Sequence, residues 1–251
     1  MQNILNNYFL SIADSINADS NKHINSHMIN PINYLANNFR RPVTKISWQS
    51  ASTYEIEKII KSLRTKNSCG YDEISNRIIK LSAPFIISPL TYICNAVLST
   101  SVFPDRLKYA IVKPIFEKGN KQKISNYRPI SLLTSFSIIE KLIYTRLHAY
   151  IDMNSILVQE QFDFRTHSLT DPAAFSLINS ILTAMNNNQI VGGIFCDMQK
   201  AFYFINHKIL LEKLQFCGVE GKFKAPIESY LTDRYQKVAL DSTTNNNNSS
   251  K

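Results

Sequence analysis

The stretch IVGGIFCDMQKAFYFINH, residues 190–207, decides how this chain of 251 residues can fold and act. Its first part is an apolar, β-branched run that predicts a buried strand over residues 190–196, and Asp197 follows at once. A carboxylate at the end of a buried strand offers an oxygen ligand to a hard cation such as Mg²⁺. Because two-metal chemistry on phosphates needs further carboxylates, the stretch predicts one half of a metal site.

Composition and charge predict a folded protein that meets a polyanion. The chain is 44% hydrophobic, which suits one core or two small ones, and 28 Lys and Arg against 19 Asp and Glu give a net charge of +9. Residues 105–128 hold seven cations against two carboxylates, which leaves five positive charges in one segment. Clustered cations gain affinity for phosphates by releasing counterions. Ordinary solvated surface lysine is the alternative interpretation.

Cysteine spacing and hydropathy predict an intracellular protein, either nuclear or cytoplasmic. The four cysteines lie far apart, without the short spacing of a zinc site, and their apolar neighbours are typical of buried free thiols. No apolar run approaches the roughly 18 residues of a membrane span. The first residues lack the basic region of a signal peptide. We expect no membrane contact and no small-molecule cofactor.

Hydrophobic spacing predicts an α+β chain with many helices and few strands. Ser52 and Glu55 have the spacing of a capping box and precede an apolar stripe at helical spacing, which predicts a helix with one buried face. Alternation predicts a strand over residues 109–116, and the polar, basic stretch after it is typical of a loop. The other expected elements are helices near 4–16, 75–81, 90–98, 138–147, 172–185, 208–214 and 226–231, and a strand over 234–240.

Five stretches, in order, resemble the reverse transcriptase of non-LTR (LINE-type) retrotransposons. SCGYDEISNRIIK resembles the segment just before the fingers of that polymerase, and FPDRLKYAIVKPIFEKGNKQKISNYRPISLL resembles its first fingers motifs. QEQFDFRTHSLTDPA resembles the next fingers motif. IFCDMQKAFYFINHKILLEKL resembles the palm motif that carries the first catalytic aspartate, and SYLTDRYQKV resembles the segment after it. These stretches are residues 68–80, 103–133, 159–173, 194–214 and 229–238.

The resemblance implies a right-hand polymerase that copies an RNA template into DNA from a DNA primer and dNTPs, with two Mg²⁺ ions. The implied fold class is α+β, with the fingers and a partial palm of that fold after a helix-rich N-terminal extension. The expected division is a poorly ordered segment over residues 1–50, a helical extension over 51–104, the incomplete fingers and start of the palm over 105–240, and a disordered Asn/Ser tail over 241–251.

The resemblance also implies roles for four residues of the palm motif. Asp197 matches the first catalytic aspartate, which is a metal ligand. The backbone amides of Met198 and Gln199 match those that meet the triphosphate of the incoming nucleotide. Phe202 matches the bulky gate that packs under the sugar and disfavours a 2′-OH. For a lone phenylalanine a plain core aromatic is the alternative.

Three basic residues of the fingers have implied roles as well. Lys113 and Arg128 match residues that grip the incoming triphosphate, the lysine as a point charge and the arginine through its planar fork. Arg165 matches an arginine that lies near the template or the nucleotide. A solvated basic loop is the simpler interpretation of the lysines between Lys113 and Arg128.

The sequence departs from the pattern of this family in ways that affect the expected activity. Tyr203 stands where a carboxylate is usual in the palm motif, and Asp163 stands where glycine is usual in the fingers. None of the ten aspartates is adjacent to another, so the expected hairpin with two adjacent aspartates has no match, and neither has the thumb. We therefore expect a fragment with an incomplete Mg²⁺ site that is inactive by itself.

Three functions are compatible with these patterns. The first is an RNA-directed DNA polymerase, which needs carboxylates besides Asp197. The second is a non-catalytic, basic nucleic-acid-binding fragment, which the positive charge of residues 105–128 favours. The third is a decayed mobile-element remnant without a selected function, because half a palm leaves sheet edges unpaired and apolar surface uncovered.

Overall fold

The structure is a computed structural model that describes residues 2–23, 31–38, 44–65, 69–134, 137–165, 170–197 and 201–240. The chain divides into two compact units. Unit 1 consists of Met1–Arg146 and Tyr203–Lys251, and unit 2 consists of Leu147–Phe202. The Asn/Ser tail that the sequence predicts over residues 241–251 lies outside the described residues.

Within the described residues the chain forms eight α-helices and three β-strands, which confirms a mixed helix-and-strand fold. The helices are α1 (Gln2–His23), α2 (Pro31–Asn38), α3 (Thr53–Ser62), α4 (Asn76–Thr100), α5 (Ile138–Met153), α6 (Thr170–Asn186), α7 (His207–Phe216) and α8 (Ala225–Leu231). The strands are β1 (Tyr109–Phe116), β2 (Tyr127–Leu133) and β3 (Tyr235–Val238).

The three strands form one sheet in the order β2-β1-β3. The central strand β1 pairs antiparallel with β2 and parallel with β3, so that Val112 lies opposite both Ser131 and Val238. The sequence predicts β1 and β3 but not β2, because Pro129 interrupts its pattern. Proline is tolerated in β2 because an edge strand needs backbone partners on one side only.

One face of this sheet packs on α1 and forms a core of unit 1. Leu5, Phe9 and Ile12 of α1 are buried with Val112 of β1 and Val238 of β3. Each fully buried side chain of this size contributes about 1.5–3 kcal/mol relative to exposure. The helix expected near residues 4–16 is therefore present as part of α1, and its early turns provide an apolar layer beneath the sheet.

An N-cap hydrogen bond begins α3, and an ion pair joins α3 to α5. The Ser52 hydroxyl accepts a hydrogen bond from the Glu55 amide at 3.2 Å, which confirms the predicted start of α3. The two carboxylate oxygens of Glu55 accept from Nε and Nη2 of Arg146, on α5, at 3.0 and 2.7 Å. A bidentate pair of this kind fixes geometry as well as distance, so it holds α3 against α5.

One long helix, α4, replaces the two helices expected near residues 75–81 and 90–98. Pro84 and Pro89 lie inside it, yet the helix continues, and Leu90, Cys94 and Val97 stay on its buried face. Among the described residues α4 is the one helix long and apolar enough to cross a membrane, by length and composition only. Core helices of soluble proteins pass the same test, so this is weak evidence for a membrane span.

Unit 2 contains α6, as the sequence predicts, but not the buried strand expected over residues 190–196. In the structure this segment has no strand pairing, and Ile190, Ile194 and Phe195 are exposed. A strand needs a neighbour that satisfies its backbone donors and acceptors. The three strands of the described residues pair only with one another, so the prediction from apolar content alone is wrong.

Gly70 lies so close to β2 that a side chain does not fit. A Cβ atom there would lie 2.2 Å from the main-chain oxygen of Leu133. Gly70→Ala should lower the free energy of unfolding by about 1–3 kcal/mol, the usual effect of overpacking. Urea unfolding measures this, with Gly192→Ala as a matched control, because a Cβ at Gly192 meets nothing within 4 Å. Equal losses in the two variants would contradict the close approach.

Candidate functional site

Asp197 stands on the exposed segment that follows α6, and not at the end of a strand. In the part of the chain that the structure describes, no group of three or more His, Cys, Asp or Glu side chains could hold a metal ion. A bound Mg²⁺ ion needs several oxygen ligands in near-octahedral geometry, of which one or two are usually carboxylates. The described residues therefore do not fit the Mg²⁺ ion that the resemblance implies.

Phe202 is exposed and lies beside the fingers motif, whereas Met198 and Gln199 are outside the described residues. Phe202 belongs to a short 3₁₀ turn, Ala201–Phe204, and its ring meets that of Phe164 edge to face with centroids 6.3 Å apart. Its side chain is 74% exposed, which argues against the alternative of a core aromatic.

The predicted template arginine, Arg165, is held by its own segment. Its Nη2 atom donates to the carbonyl of Leu157 at 3.1 Å, which leaves the side chain half-buried. The residue before it, Phe164, has a φ of 61° in the left-handed region, and its amide donates to Oδ1 of Asp163 at 3.0 Å. Phe164 is therefore next to Arg165 in sequence and in ring contact with Phe202. The residue with a left-handed backbone is Phe164 and not Asp163.

Tyr203, where the resemblance leads us to expect a carboxylate, packs against the core of unit 1. Its ring packs against the apolar cluster formed by α1, β1 and β3. Burial raises the pKa of its hydroxyl above the ordinary value, and the nearby Tyr8 raises it further. A charged group is disfavoured at this position, so the tyrosine acts here as a packing residue.

Lys113 and Arg128 lie on the face of the sheet that is turned away from α1. Lys113 is opposite Ile130 and Arg128 is opposite Ile115, so the two cations are diagonal neighbours on adjacent strands. Nη2 of Arg128 pairs with Oε1 of Glu117 at 2.9 Å, and both side chains are at least half exposed. Such a pair contributes about 0–1 kcal/mol, so a bound phosphate can replace the glutamate at little cost.

The basic loop, residues 117–126, presents exposed lysines on an ordered turn. The side-chain amide of Asn126 donates to the carbonyl of Asn120 at 2.9 Å, and Gly119 has a φ of 90°, a conformation that favours glycine. The exposed lysines of the loop are Lys118, Lys121 and Lys123. By contrast, Lys108 of the same basic segment is buried and pairs with Asp105 at 3.2 Å.

Three tyrosines that the sequence analysis missed stack across the face that carries Lys113. Tyr109 of β1 lies between Tyr71 and Tyr235 of β3, with ring centroids 5.1 Å apart in both pairs and interplanar angles of 24° and 18°. Strand alternation could have placed Tyr109 and Tyr235 on one face. Tyr71 has no such local signal, because it reaches the sheet through the close approach of Gly70 to β2.

The cations of the sheet face and loop, and separately the sequence motif around Asp197, are features expected of the polymerase class. Residues 117–251, more than half of the chain, match the family described as reverse transcriptase (RNA-dependent DNA polymerase). The chain belongs to this reverse transcriptase family. The family in general requires a divalent metal ion, a nucleic-acid template and nucleotide substrates.

Relatives of this chain are polymerases of mobile elements. The chain is 36% identical over 186 residues to a probable RNA-directed DNA polymerase from transposon BS of Drosophila melanogaster, covering 72% of this chain and 20% of the relative. It is 32% identical over 189 residues to the RNA-directed DNA polymerase from mobile element jockey of the same species, covering 74% and 20%. The similarity confirms the LINE-type resemblance, and the chain spans about one fifth of the length of these relatives.

Introducing a carboxylate at position 203, as the resemblance leads us to expect there, should destabilise unit 1. Tyr203→Asp would set an unpaired charge against an apolar cluster and should lower the free energy of unfolding by about 2–3 kcal/mol. Tyr203→Phe keeps the ring and should change it by about 0.5 kcal/mol or less. Urea unfolding of both variants measures the difference. A Tyr203→Asp variant as stable as the phenylalanine control would show that this position is not part of the core.

Proposed function

We propose that this chain supplies the fingers and the first palm segment of an RNA-directed DNA polymerase of a mobile element. The observation that carries the proposal is the sheet face on which Lys113 and Arg128 are diagonal neighbours, next to the basic loop. A point charge and a planar fork on one rigid hairpin suit the oxygens of a triphosphate. In this proposal the substrates are an RNA template, a DNA primer and dNTPs, and the protein acts inside the cell, in the nucleus or the cytoplasm.

The remaining residues take the roles that the family motif assigns to them. Asp197 is the proposed catalytic and metal-binding carboxylate, and the amides of Met198 and Gln199 are the proposed donors to the triphosphate. Phe202 is the proposed gate beneath the sugar, which its exposure supports. Arg165 is the proposed template contact. Residues 51–104 are the proposed helical extension and residues 105–240 the proposed fingers and start of the palm.

Binding of nucleic acid without catalysis is the second candidate function, and the basic loop favours it. Its three exposed lysines lie in the loop that joins β1 to β2, next to the exposed Arg128 at the start of β2, so this end of the hairpin is rich in cations. Catalysis makes a further demand, because two metal ions need carboxylates besides Asp197. We therefore expect this chain by itself to bind a template–primer without extending it.

A salt titration tests the binding that both functions require. Affinity for a recessed RNA–DNA hybrid should fall by almost three orders of magnitude, about 500-fold, between about 50 and 200 mM salt, as for roughly five neutralised phosphates. Changing Lys118, Lys121 and Lys123 together to Gln should reduce the slope of log affinity against log salt by up to about 2.7. Filter binding measures both quantities.

Three exposed lysines elsewhere in unit 1 provide the matched control for the loop variant. Changing Lys58, Lys208 and Lys222 together to Gln removes the same charge and should leave most of the slope intact. An equal reduction of the salt slope in both triple variants would show that binding depends on net charge alone. Absence of binding at low salt would contradict the proposed nucleic-acid function.

Primer extension tests the division between binding and chemistry. With an RNA template, a DNA primer, dNTPs and either Mg²⁺ or Mn²⁺, this chain alone should bind but produce no extended primer, because Asp197 has no described carboxylate cluster around it. Denaturing gels measure the product. Extension that Asp197→Asn abolishes would assign complete catalysis to this chain and contradict the expectation.

A further inference from the structure

The tyrosine stack leaves two aromatic ring faces uncovered on the sheet. Tyr71 and Tyr235 are 57% and 55% exposed, and Tyr109 between them is 36% exposed. The ring faces inside the stack cover one another, because Tyr109 is stacked with Tyr71 and also with Tyr235. Among the described residues no further ring stacks on Tyr71 or Tyr235, and more than half of each residue is exposed, so both rings are accessible to a ligand.

Cations lie on the same face of the sheet, further along the strands than the stack. In the parallel pairing Lys237 lies opposite Ile111, two residues along β3 from Tyr235, so its exposed side chain is on the face of the stack. Lys113 and Arg128 are on this face too. Within the three strands, all of which are described, no residue on this face is acidic. The face therefore combines positive charge with planar apolar surface.

We propose that single-stranded nucleic acid binds this face, with unpaired bases stacked on the outer rings of Tyr71 and Tyr235 and a backbone phosphate at Lys237. Single strands are bound by stacking platforms of aromatic side chains next to cations that follow the backbone. A duplex is a poorer occupant, because its bases are already stacked and paired. The proposal rests on the proposed nucleic-acid function and adds to it a contact with bases, outside the triphosphate grip of Lys113 and Arg128.

Stacked rings on neighbouring strands also stabilise a sheet without any ligand. The exposure of the outer rings and the one-sided charge of the face favour a ligand over packing alone. Packing would explain the inner ring, Tyr109, but it does not require that Tyr71 and Tyr235 stay exposed or that an exposed lysine lies two residues from Tyr235 on the same face. A base-free strand separates the two explanations, since it offers the same charge but nothing to stack.

The first test uses the unaltered chain and strands that differ only in their bases. Labelled oligothymidylate, oligouridylate and an abasic strand of equal length carry the same backbone charge. In anisotropy titrations the abasic strand should bind at least ten-fold more weakly, because stacking of a single base accounts for about that factor. Base-dependent binding of either natural strand supports the proposal. Equal affinity of the abasic strand and both natural strands overturns it.

The second test changes the rings and keeps the charges. The double variant Tyr71→Leu and Tyr235→Leu should bind oligothymidylate about ten-fold or more weakly, with an unchanged salt slope, while the corresponding double change to Phe should retain affinity within about two-fold. Tyr54→Leu, an exposed tyrosine on α3, is the matched control and should bind normally. Loss of affinity in the Phe variant equal to that in the Leu variant overturns the stacking.

The third test changes a charge and keeps the rings. Lys237→Gln should lower the salt slope by about 0.7, the share of one phosphate contact on a single strand, whereas Lys58→Gln should not. An unchanged slope in Lys237→Gln overturns its assigned role.

If the double Leu variant does not fold, as judged by circular dichroism, the comparison with the abasic strand decides the proposal. Salt-dependent binding that is equal for abasic and natural strands contradicts base stacking on the tyrosines but agrees with the proposed nucleic-acid function. Absence of all binding contradicts both proposals.

Discussion

The pairing of β1 with a strand on each side is the constraint on which unit 1 depends. Side chains alternate along a strand, so the register that turns Val112 into the core also turns Lys113 to the opposite face. A shift by one residue would bury the lysine and expose the valine. The hydrophobic layer on α1 therefore determines where the cations of the sheet lie. One strand register fixes both the core on one face and the candidate surface on the other.

This register explains why binding groups are better organised here than catalytic ones. The cations lie on a paired hairpin whose loop is held by backbone and asparagine hydrogen bonds. Asp197, by contrast, lies on an exposed segment without strand partners among the described residues. Recognition of a polyanion requires charge on a defined surface, whereas metal chemistry requires several oxygen atoms converging within a few ångströms. The described residues meet the first requirement and not the second.

Sequence patterns predicted the elements whose causes are local. The Ser52 N-cap, the apolar stripes of α3 and α5 and the alternation of β1 all appear in the structure, because caps and periodic burial act over a few residues. Elements that depend on distant partners were predicted less well. β2 forms through its pairing with β1 despite Pro129, and α4 continues through two prolines because its apolar face is buried on both sides of them.

The same distinction holds for the candidate site. The family motif singles out Lys113 and Arg128 one at a time, but only the strand register makes them diagonal neighbours. The tyrosine stack joins residues from three separate parts of the sequence, so no pattern within one segment could reveal it. The prediction of a strand over residues 190–196 was wrong for the opposite reason. The apolar content is present, but among the described residues no neighbouring strand pairs with this segment.

The ring of Tyr203 also limits which side chains this position can hold. Tyr203 packs, with Tyr8, against the apolar cluster of α1, β1 and β3. A carboxylate in its place would lose hydration against apolar side chains, which is costly unless a partner is supplied. An aspartate at position 203 is therefore compatible with this core only together with compensating changes in α1 or β3, so the packing of the sheet constrains the sequence of a distant segment.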